Sequence, residues 1–568
     1  MTTPPEQHDA APVPPDGASG IPGERLTGRD ASLLLLGCIP LFIALGQLQC
    51  WGSEGRTLGI ALSMRTKGAW LTPDLYGEFW GFRPLLYFWC VAVSSFFTGG
   101  VSELAGRLPA ALSGAATVLL TGHLAARLLG RRAAVPAGWV LVTAYSWWLW
   151  SRTAAMDTMN VAFATAAIAV YVESIRGFRP WHAFAFAALI GLGSQAKGIP
   201  AIILPCAVGF CDALLHRRRD ILRSWPWLAA AVPLAGALFA MSFLMSFSQR
   251  HDWSLFKVWY VENIQRIYDP YDHKNNPVLY YFYSLPALFM PWGLAIPGAA
   301  AFAARTWKSD RGRRFAATAA AVVFLMFTAS ASRRSYYILP VFPWCALLVA
   351  AMFDEVARKR ESGGREKGGW RILGEGPALL VYVFAPLAGL ALCIAPFLPG
   401  NLGKAASALP LAPLGGVLLL AAAGGFWWSR RASPPAAHVL ISLGVLLPVY
   451  VFASTSGDVL RDRLYVERRF GQAVRKRHPG ERLLYYHAQN ARLFWYLGEA
   501  SDADDGEMLR GMLMKQGGRG VVVADARYRK EIEESPLFDA TVEVESEKPD
   551  IPYRKEKDAY VLYDVQVK

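Results

Sequence analysis

The chain has 568 residues, of which 54% are hydrophobic and only 18% are charged, whereas soluble domains carry about 25% charged residues. Lys and Arg outnumber Asp and Glu by 58 to 44, so the formal net charge is +14. This composition excludes a disordered chain, a collagen-like fibre and a small disulfide scaffold, and it disfavours an ordinary soluble enzyme. The apolar residues fall in blocks of about twenty, the length that crosses a bilayer, which predicts a polytopic α-helical membrane protein.

The chain begins with a segment that differs from everything after it. Residues 1–30 are rich in Pro and Gly and contain no apolar core, which predicts a disordered cytoplasmic tail and not a cleavable signal. Thirteen apolar runs follow, and together they predict a transmembrane domain over residues 31–455 with about thirteen helices. A shorter run at 85–99 is expected to lie on the membrane or to re-enter it. The thirteen runs are 31–50, 108–126, 133–150, 158–175, 182–196, 199–215, 225–247, 279–304, 315–331, 336–353, 376–398, 410–428 and 436–453.

The basic residues predict the orientation of these helices. With the N-terminus in the cytoplasm, every predicted cytoplasmic loop is rich in Arg or Lys, as in 216–223 (HRRRDILR) and 305–314 (RTWKSDRGRR). This arrangement leaves the loops 51–107 and 248–278, and everything from residue 456 onward, outside the cell membrane. Because the arginines of the predicted cytoplasmic loops account for most of the positive charge, nucleic-acid binding is not expected.

The last part of the chain has a different pattern. Residues 456–568 are polar and alternate strand-like runs at 482–486, 520–525, 540–546 and 560–565 with helix-like runs at 465–478 and 526–535. This alternation predicts a small soluble extracytoplasmic α/β domain. The sequence contains no glycine-rich phosphate loop, nucleophile elbow or zinc-protease motif, so it does not support nucleotide hydrolysis or a hydrolytic nucleophile.

Ionisable side chains gather in five segments at the predicted outer face of the membrane. Such groups at membrane depth are costly and usually functional. Each also has a simpler explanation: an acid can stabilise a helix N-terminus, and a lysine can extend to the interface. The residues are Glu54 and Arg56 after the first span, Asp157 at the start of the fourth, Lys197 between two apolar runs, Glu262, Arg266 and His273 in the loop 248–278, and Arg333 and Arg334 before the tenth span.

Carboxylates and cations at one membrane face indicate a particular chemistry. A carboxylate can deprotonate an acceptor hydroxyl or amine, while cations neutralise a departing phosphate. The sequence therefore predicts group transfer from a lipid-linked phosphate. Two alternatives stay open, namely a transporter or flippase for a polyprenyl-linked or anionic substrate, and a non-catalytic assembly scaffold.

Several short motifs occur in an order that resembles a known family. They are GAWLTP at 68–73, Arg83-Pro84, SELAGRLPAALSG at 102–114, HLAARLLGRR at 123–132, SRTAAMDTMN at 151–160, AKG at 196–198, PW at 291–292 and RRSYYILPVFP at 333–343. This order is similar to that of family 39 and family 83 glycosyltransferases, which include protein O-mannosyltransferases and the aminoarabinose transferase of lipid A. Ser53 stands where those relatives have Asp, which leaves Glu54 as the acid of the first motif.

The resemblance implies a GT-C fold and a multi-pass enzyme of the bacterial inner membrane. Such an enzyme would move a sugar from a polyprenyl-phosphate donor to a lipid, glycan or protein acceptor on the extracytoplasmic face, with inversion at the anomeric carbon. It implies no certain cofactor and no metal ligands, although a divalent metal stays open, and membrane lipids are expected partners. The residues it implicates are Glu54 as base with Asp157 in support, Arg56, Arg83, Lys197, Arg266, Arg333 and Arg334 as donor-phosphate contacts, and Glu78, Glu262, His273, Tyr336 and Tyr337 as substrate contacts.

Overall fold

A helical bundle and a small β-sheet make up the computed structural model. It describes residues 23–75, 83–265, 276–361, 465–488, 490–498, 502–546 and 559–568, with the short strand 78–79 and isolated positions between 387 and 450. The α-helices of the bundle are α1 (Gly28–Cys38), α2 (Glu54–Thr66), α3 (Leu86–Phe97), α4 (Glu103–Leu129), α5 (Ala134–Val142), α6 (Tyr145–Ser151), α7 (Asp157–Ser174), α8 (Pro180–Lys197), α9 (Pro200–His216), α10 (Arg219–Arg223), α11 (Trp225–Arg250), α12 (Ser254–Tyr260), α13 (Tyr280–Leu288), α14 (Ile296–Arg305), α15 (Arg311–Ala329) and α16 (Phe342–Glu361).

The apolar runs of the sequence coincide with these helices. The first ten predicted spans fall in the described part of the chain, and four helical segments there are long and apolar enough to cross a membrane: Glu103–Leu129, Trp225–Arg250, Arg311–Ala329 and Ser335–Lys359. Three predicted spans are interrupted, at 39–50, 143–144 and 289–295. Proline at 40 and 291 lacks the amide hydrogen that a continuous helix needs, which explains two of these breaks. The predicted spans 376–398, 410–428 and 436–453 lie outside the described residues, apart from isolated positions.

Helices α7 and α8 form an antiparallel pair that organises the bundle. Each has 18 residues, and only residues 175–179 connect them. A helix of this length extends about 27 Å, close to the hydrocarbon thickness of a bilayer. Consequently Asp157 and Lys197 lie together at one end of the pair, and the loop 175–179 lies at the other.

The C-terminal region folds around a five-stranded sheet. Its strands are β3 (Leu483–Tyr486), β4 (Asp502–Ala503), β5 (Arg519–Asp525), β6 (Phe538–Glu545) and β7 (Tyr560–Val567), in the spatial order β4-β3-β5-β7-β6. Strand β3 is parallel to β4 and β5, whereas β7 is antiparallel to β5 and β6. The two short strands β1 (Asp74–Leu75) and β2 (Glu78–Phe79) form a separate hairpin in the bundle region.

Helices cover both faces of the larger sheet. Helices α17 (Glu467–Arg477) and α18 (Ala491–Leu497) pack on one face, and α19 (Gly506–Met514) and α20 (Arg529–Glu533) pack on the other. All four residues of β3 are therefore buried, as expected for a strand covered on both sides. The four predicted strands are confirmed within two residues at each end. Strand β4 and helices α18 and α19 were not predicted. All three are short, with two, seven and nine residues.

The C-terminal region contacts the bundle through α18. The Tyr496 hydroxyl donates to Glu103 Oε1 at 3.1 Å and accepts the Cys50 backbone N–H at 2.8 Å. Gly55 in α2 lies so close to α18 that an added Cβ would stand 2.3 Å from the Ala491 carbonyl oxygen. The start of α2 is thereby fixed against the C-terminal region.

Candidate active site

An ion pair joins the first residue of α7 to the last residue of α8. The Asp157 carboxylate, through Oδ1, contacts the Lys197 ammonium, and their side chains are 8% and 16% exposed. An acid at a helix N-terminus and a cation at a helix C-terminus both interact favourably with the helix dipole. Asp157 Oδ2 accepts no hydrogen bond within the described part of the chain, so one oxygen of this carboxylate stays open to a ligand.

Two tyrosines surround the lysine of this pair. Lys197 Nζ lies 4.6 Å from the ring centroid of Tyr337 and 5.5 Å from that of Tyr336, both in the 3₁₀-helix Ser335–Val341. Arg334 donates from Nη1 to the Tyr336 hydroxyl at 2.8 Å. The Tyr336 ring also packs against Trp150, at 4.4 Å between centroids. Ring faces attract cations, so these contacts fix the position of Lys197.

A cavity of about 400 Å³ opens beside Lys197. Arg83 and Lys197 both line it, although they are distant in sequence, and Glu262 holds Arg83 at 3.2 Å. The other walls are mainly apolar, including Ile199, Ile203, Leu204, Met326 and Phe327. A pocket with apolar walls and a polar end that carries two cations, each paired with a carboxylate, has the groups that an anionic amphiphile requires.

The turn after α8 brings a further polar group to this cavity. Gly198 has φ of +111°, and an added Cβ would lie 2.2 Å from Asn263 Oδ1. Only glycine accepts both this backbone conformation and this close approach. Asn263 therefore lies against Gly198, the residue after Lys197, and lines the same cavity.

Glu54 lies in a different environment from the one predicted. It is 1% exposed and forms a bidentate pair with Arg107, whose Nε and Nη2 donate to Oε1 and Oε2 at 2.8 and 2.6 Å. Its oxygens also accept the backbone N–H groups of Ala154 at 2.7 Å and Trp51 at 3.1 Å. The prediction that Glu54 is the general base does not fit this geometry, because both of its oxygens are already occupied by donors.

Three predicted phosphate contacts also have other positions. Arg333 is 8% exposed and donates to the backbone oxygens of Thr328 and Asn276, at 3.1 and 3.0 Å, so it holds the chain before the 3₁₀-helix and does not face the cavity. Arg334 donates to the Tyr336 hydroxyl, Arg56 is exposed on α2, and neither residue is among those that line the cavity. The structure therefore does not bring these three predicted contacts to the cavity lining.

The remaining predicted residues are described only in part. Glu262 lines the cavity, and Glu78 lies in β2, where the backbone alone is described. Arg266 and His273 lie outside the described residues. Among the described residues, no group of three His, Cys, Asp or Glu side chains is placed to hold a metal ion.

Sequence reasoning missed Arg107. This residue is completely buried in α4, and besides the Glu54 pair it donates to the carbonyl oxygens of Leu45, Leu48 and Gln49, at 2.9, 2.7 and 3.1 Å. Its signal in the sequence is a lone arginine at the edge of an apolar run with no acid within three residues. Intramembrane cations of this kind require a buried partner.

Comparisons with known proteins find similar chains among membrane glycosyltransferases. Residues 82–243 match the family model for dolichyl-phosphate-mannose-protein mannosyltransferase. An undecaprenyl phosphate-α-4-amino-4-deoxy-L-arabinose arabinosyl transferase of Edwardsiella ictaluri is 26% identical over 60% of this chain and 62% of its own length. The corresponding transferase of Pectobacterium carotovorum is 25% identical over 58% of this chain and 60% of its own length. The chain thus spans about 60% of the length of these curated relatives.

The crystal structure of ArnT from Cupriavidus metallidurans bound to undecaprenyl phosphate is similar to nearly the whole chain. The two structures align with a TM-score of 0.74 at 19% sequence identity. The alignment covers 94% of this chain and 98% of the ArnT chain. The predicted GT-C fold and the predicted resemblance to glycosyltransferases of the ArnT and protein-mannosyltransferase type are therefore confirmed.

Proposed function

We propose that this GT-C membrane protein transfers a sugar from a polyprenyl-phosphate donor to a lipid, glycan or protein acceptor. The observation that carries the proposal is the convergence of Arg83 and Lys197 on one cavity beside Asp157. The relatives named above act on undecaprenyl phosphate-linked aminoarabinose, and the ArnT structure contains undecaprenyl phosphate. These names support a donor of the same chemical class.

The polar end and the apolar walls of the cavity would bind different parts of the donor. The phosphate would lie between the Arg83 guanidinium and the Lys197 ammonium, with the side-chain amide of Asn263 as a further polar contact. The polyprenyl chain would follow the apolar wall formed by Ile203, Leu204 and Phe327. Charge-assisted hydrogen bonds to a phosphate are about twice as strong as neutral ones, so the two cations would dominate donor binding.

Asp157 is the proposed general base. Its Oδ2 atom would take the proton from the acceptor hydroxyl or amine as the acceptor oxygen or nitrogen bonds to the anomeric carbon. The bond from that carbon to the phosphate oxygen breaks, and its electron pair leaves with the polyprenyl phosphate. Lys197 and Arg83 stabilise the charge that develops there. A single displacement of this kind inverts the anomeric centre.

Glu54 and Arg107 are proposed to position Asp157. Glu54 accepts the backbone N–H of Ala154, and the Thr57 hydroxyl donates to the backbone oxygen of the same residue at 3.2 Å. Ala154 lies three residues before Asp157, so the start of α2 holds the segment that leads into α7. The two predicted carboxylates would therefore exchange roles, with Asp157 acting on substrate and Glu54 supporting it.

The topology stays part of the proposal. About thirteen membrane helices, a cytoplasmic N-terminus, and an extracytoplasmic active site and C-terminal region (456–568) are consistent with the basic loops at the opposite end of the α7–α8 pair. A reporter fused after Lys568 should be active outside the cytoplasm. Activity in the cytoplasm alone would refute this orientation.

Donor binding to the purified protein tests the function. Undecaprenyl phosphate should bind the wild type, and Lys197→Ala and Arg83→Ala should each weaken binding by at least tenfold, since each removed charge-assisted contact contributes on the order of 1.5–3 kcal/mol. Arg56→Ala is the matched control, because it removes an exposed cation outside the cavity and should bind normally. Equal binding by all four proteins would contradict the proposed donor site. Transport of the lipid with no sugar transferred to any acceptor would favour the transporter alternative.

A further inference from the structure

A second polar cavity lies at the other end of the α7–α8 pair, about 27 Å from Asp157 and Lys197 by the length of an 18-residue helix. Its volume is about 780 Å³. The residues that line it include four arginines and two histidines but, among the described residues, only one carboxylate: Arg25, Arg127, Arg176, Arg179, His123, His182 and Glu173.

The one carboxylate of this cavity is already neutralised. Glu173 accepts hydrogen bonds from Arg127 Nε and Nη2 at 2.6 and 2.8 Å, and contacts His123 Nε2 at 2.9 Å. Arg25, Arg176 and Arg179 therefore contribute an excess of positive charge. Burial, together with repulsion from Arg127 and Arg25, lowers the pKa of Arg176, although Glu173 opposes this shift.

An apolar cavity of about 420 Å³ adjoins the basic one at His182. Both cavities are lined by His182, and the apolar one extends between α8, α9 and α11 past Phe178, Phe186, Trp225 and Ala235. Large apolar side chains in its walls are exposed, among them Trp225, which is 67% exposed. Exposing such side chains to water is unfavourable. A bilayer would cover this surface.

His182 stands at the junction with one hydrogen-bonding atom available. The side chain is 5% exposed, and Nδ1 accepts the backbone N–H of Arg179 at 2.9 Å. The neutral imidazole therefore carries its proton on Nε2. This donor makes no hydrogen bond within the described part of the chain, and its ring borders both cavities.

We propose that the two cavities together bind one anionic phospholipid from the leaflet opposite the candidate active site. The phosphodiester headgroup would occupy the basic cavity against Arg176 and Arg179, His182 Nε2–H would donate to a phosphate or ester oxygen, and one acyl chain would lie in the apolar cavity. Basic pockets between membrane helices are known to recognise anionic headgroups in this way. This site is separate from the proposed donor site and does not depend on the proposed transferase activity.

Lipid retention by the purified full-length protein tests the proposal. The protein in detergent is titrated with dioleoyl phosphatidylglycerol or with dioleoyl phosphatidylcholine, which has the same acyl chains and no net charge, and bound lipid is counted by native mass spectrometry. The wild type should retain phosphatidylglycerol preferentially. The double variant Arg176→Gln, Arg179→Gln should weaken that binding on the order of 30-fold, from the contribution of two basic side chains to an anionic lipid.

Two further variants separate the possible explanations. Arg217→Gln, Arg219→Gln removes two exposed arginines of the neighbouring basic loop and should leave binding unchanged. Ala235→Phe fills the apolar cavity and should weaken phospholipid binding several-fold. Equal retention of both lipids by the wild type, or equal losses in the two double variants, would overturn the proposal. Inorganic phosphate binding as tightly as phosphatidylglycerol, without sensitivity to Ala235→Phe, would show a free-anion site instead.

Discussion

Glu54 and Arg107 form a completely buried ion pair, with the carboxylate of α2 bound at both oxygens by the guanidinium of α4. The pair links three parts of the molecule, since Arg107 also binds the carbonyl oxygens of residues 45, 48 and 49, and Glu54 binds the chain before Asp157. These contacts are the basis for the proposal that Glu54 positions the segment before Asp157.

Glu54→Gln should destabilise the fold more than it affects chemistry directly. The change leaves the Arg107 guanidinium buried without its counter-charge, which costs on the order of 3–5 kcal/mol. Thermal unfolding of the purified protein should show a clear decrease in Tm. Restoring an uncharged environment with Arg107→Met in the same chain should recover part of the loss. An unchanged Tm for Glu54→Gln would contradict a structural role for this pair.

Asp157→Asn should greatly slow turnover while the protein stays folded. The amide keeps the shape of the side chain but cannot accept the acceptor proton, so the transfer rate should fall by roughly 10²–10⁴. Donor binding should survive because Arg83 and Lys197 are unchanged. Asp252→Asn is a suitable control, since Asp252 is outside the cavity and pairs with Arg250 at 3.1 Å. Near-normal transfer by Asp157→Asn would remove this residue from the role of base.

Tyr337 should contribute to donor binding through its ring and not through its hydroxyl. Its centroid lies 4.6 Å from Lys197 Nζ, so Tyr337→Phe keeps the cation–π contact and Tyr337→Leu removes it. Titration with undecaprenyl phosphate should give a near-normal Kd for Tyr337→Phe and a Kd raised by about 3–30-fold for Tyr337→Leu. Equal effects of the two changes would point to the hydroxyl.

His478 should make the stability of the C-terminal sheet region depend on pH. Partial burial disfavours the charged imidazolium, but hydrogen bonds to Glu543 and Glu481 outweigh it and raise the pKa of His478 above its usual value of 6.5. A raised pKa in the folded state means that this stabilisation is complete below pH 6.5 and is lost as the pH rises through the folded-state value.

Hydrogen exchange in β6, corrected for the intrinsic pH dependence of exchange, measures this effect in the full-length protein. Protection in the wild type should decrease from acidic to alkaline pH relative to His478→Gln, which should show no such step. The same pH dependence in both proteins would exclude His478 as its source.

The sequence predicted the elements of the fold better than the contacts between them. Strands β3, β5, β6 and β7 are runs of β-branched and aromatic residues between turn residues, and such runs are local signals. Likewise, two apolar helices of equal length joined by residues 175–179 are expected to be antiparallel neighbours, and this arrangement brings Asp157 to Lys197.

The roles of individual ionisable residues depended on contacts that the sequence does not encode locally. Glu54 and Arg107 are 53 residues apart, and the direction in which each side chain points follows from the packing of α2 against α4 and α18. A motif position alone could therefore not show that Glu54 is buried against Arg107. The position of Arg333 depends in part on a distant contact, because it donates to the backbone oxygen of Asn276, 57 residues away, as well as to that of the nearby Thr328.

A structure of the protein with undecaprenyl phosphate tests the central claim, that the donor phosphate lies between Arg83 and Lys197 beside Asp157. The phosphate oxygens should lie within hydrogen-bonding distance of the Arg83 guanidinium and the Lys197 ammonium, with the lipid chain along Ile203, Leu204 and Phe327 and with Glu54 still paired with Arg107. A phosphate bound away from both cations, or one that contacts Glu54 after Arg107 has released it, would contradict the account.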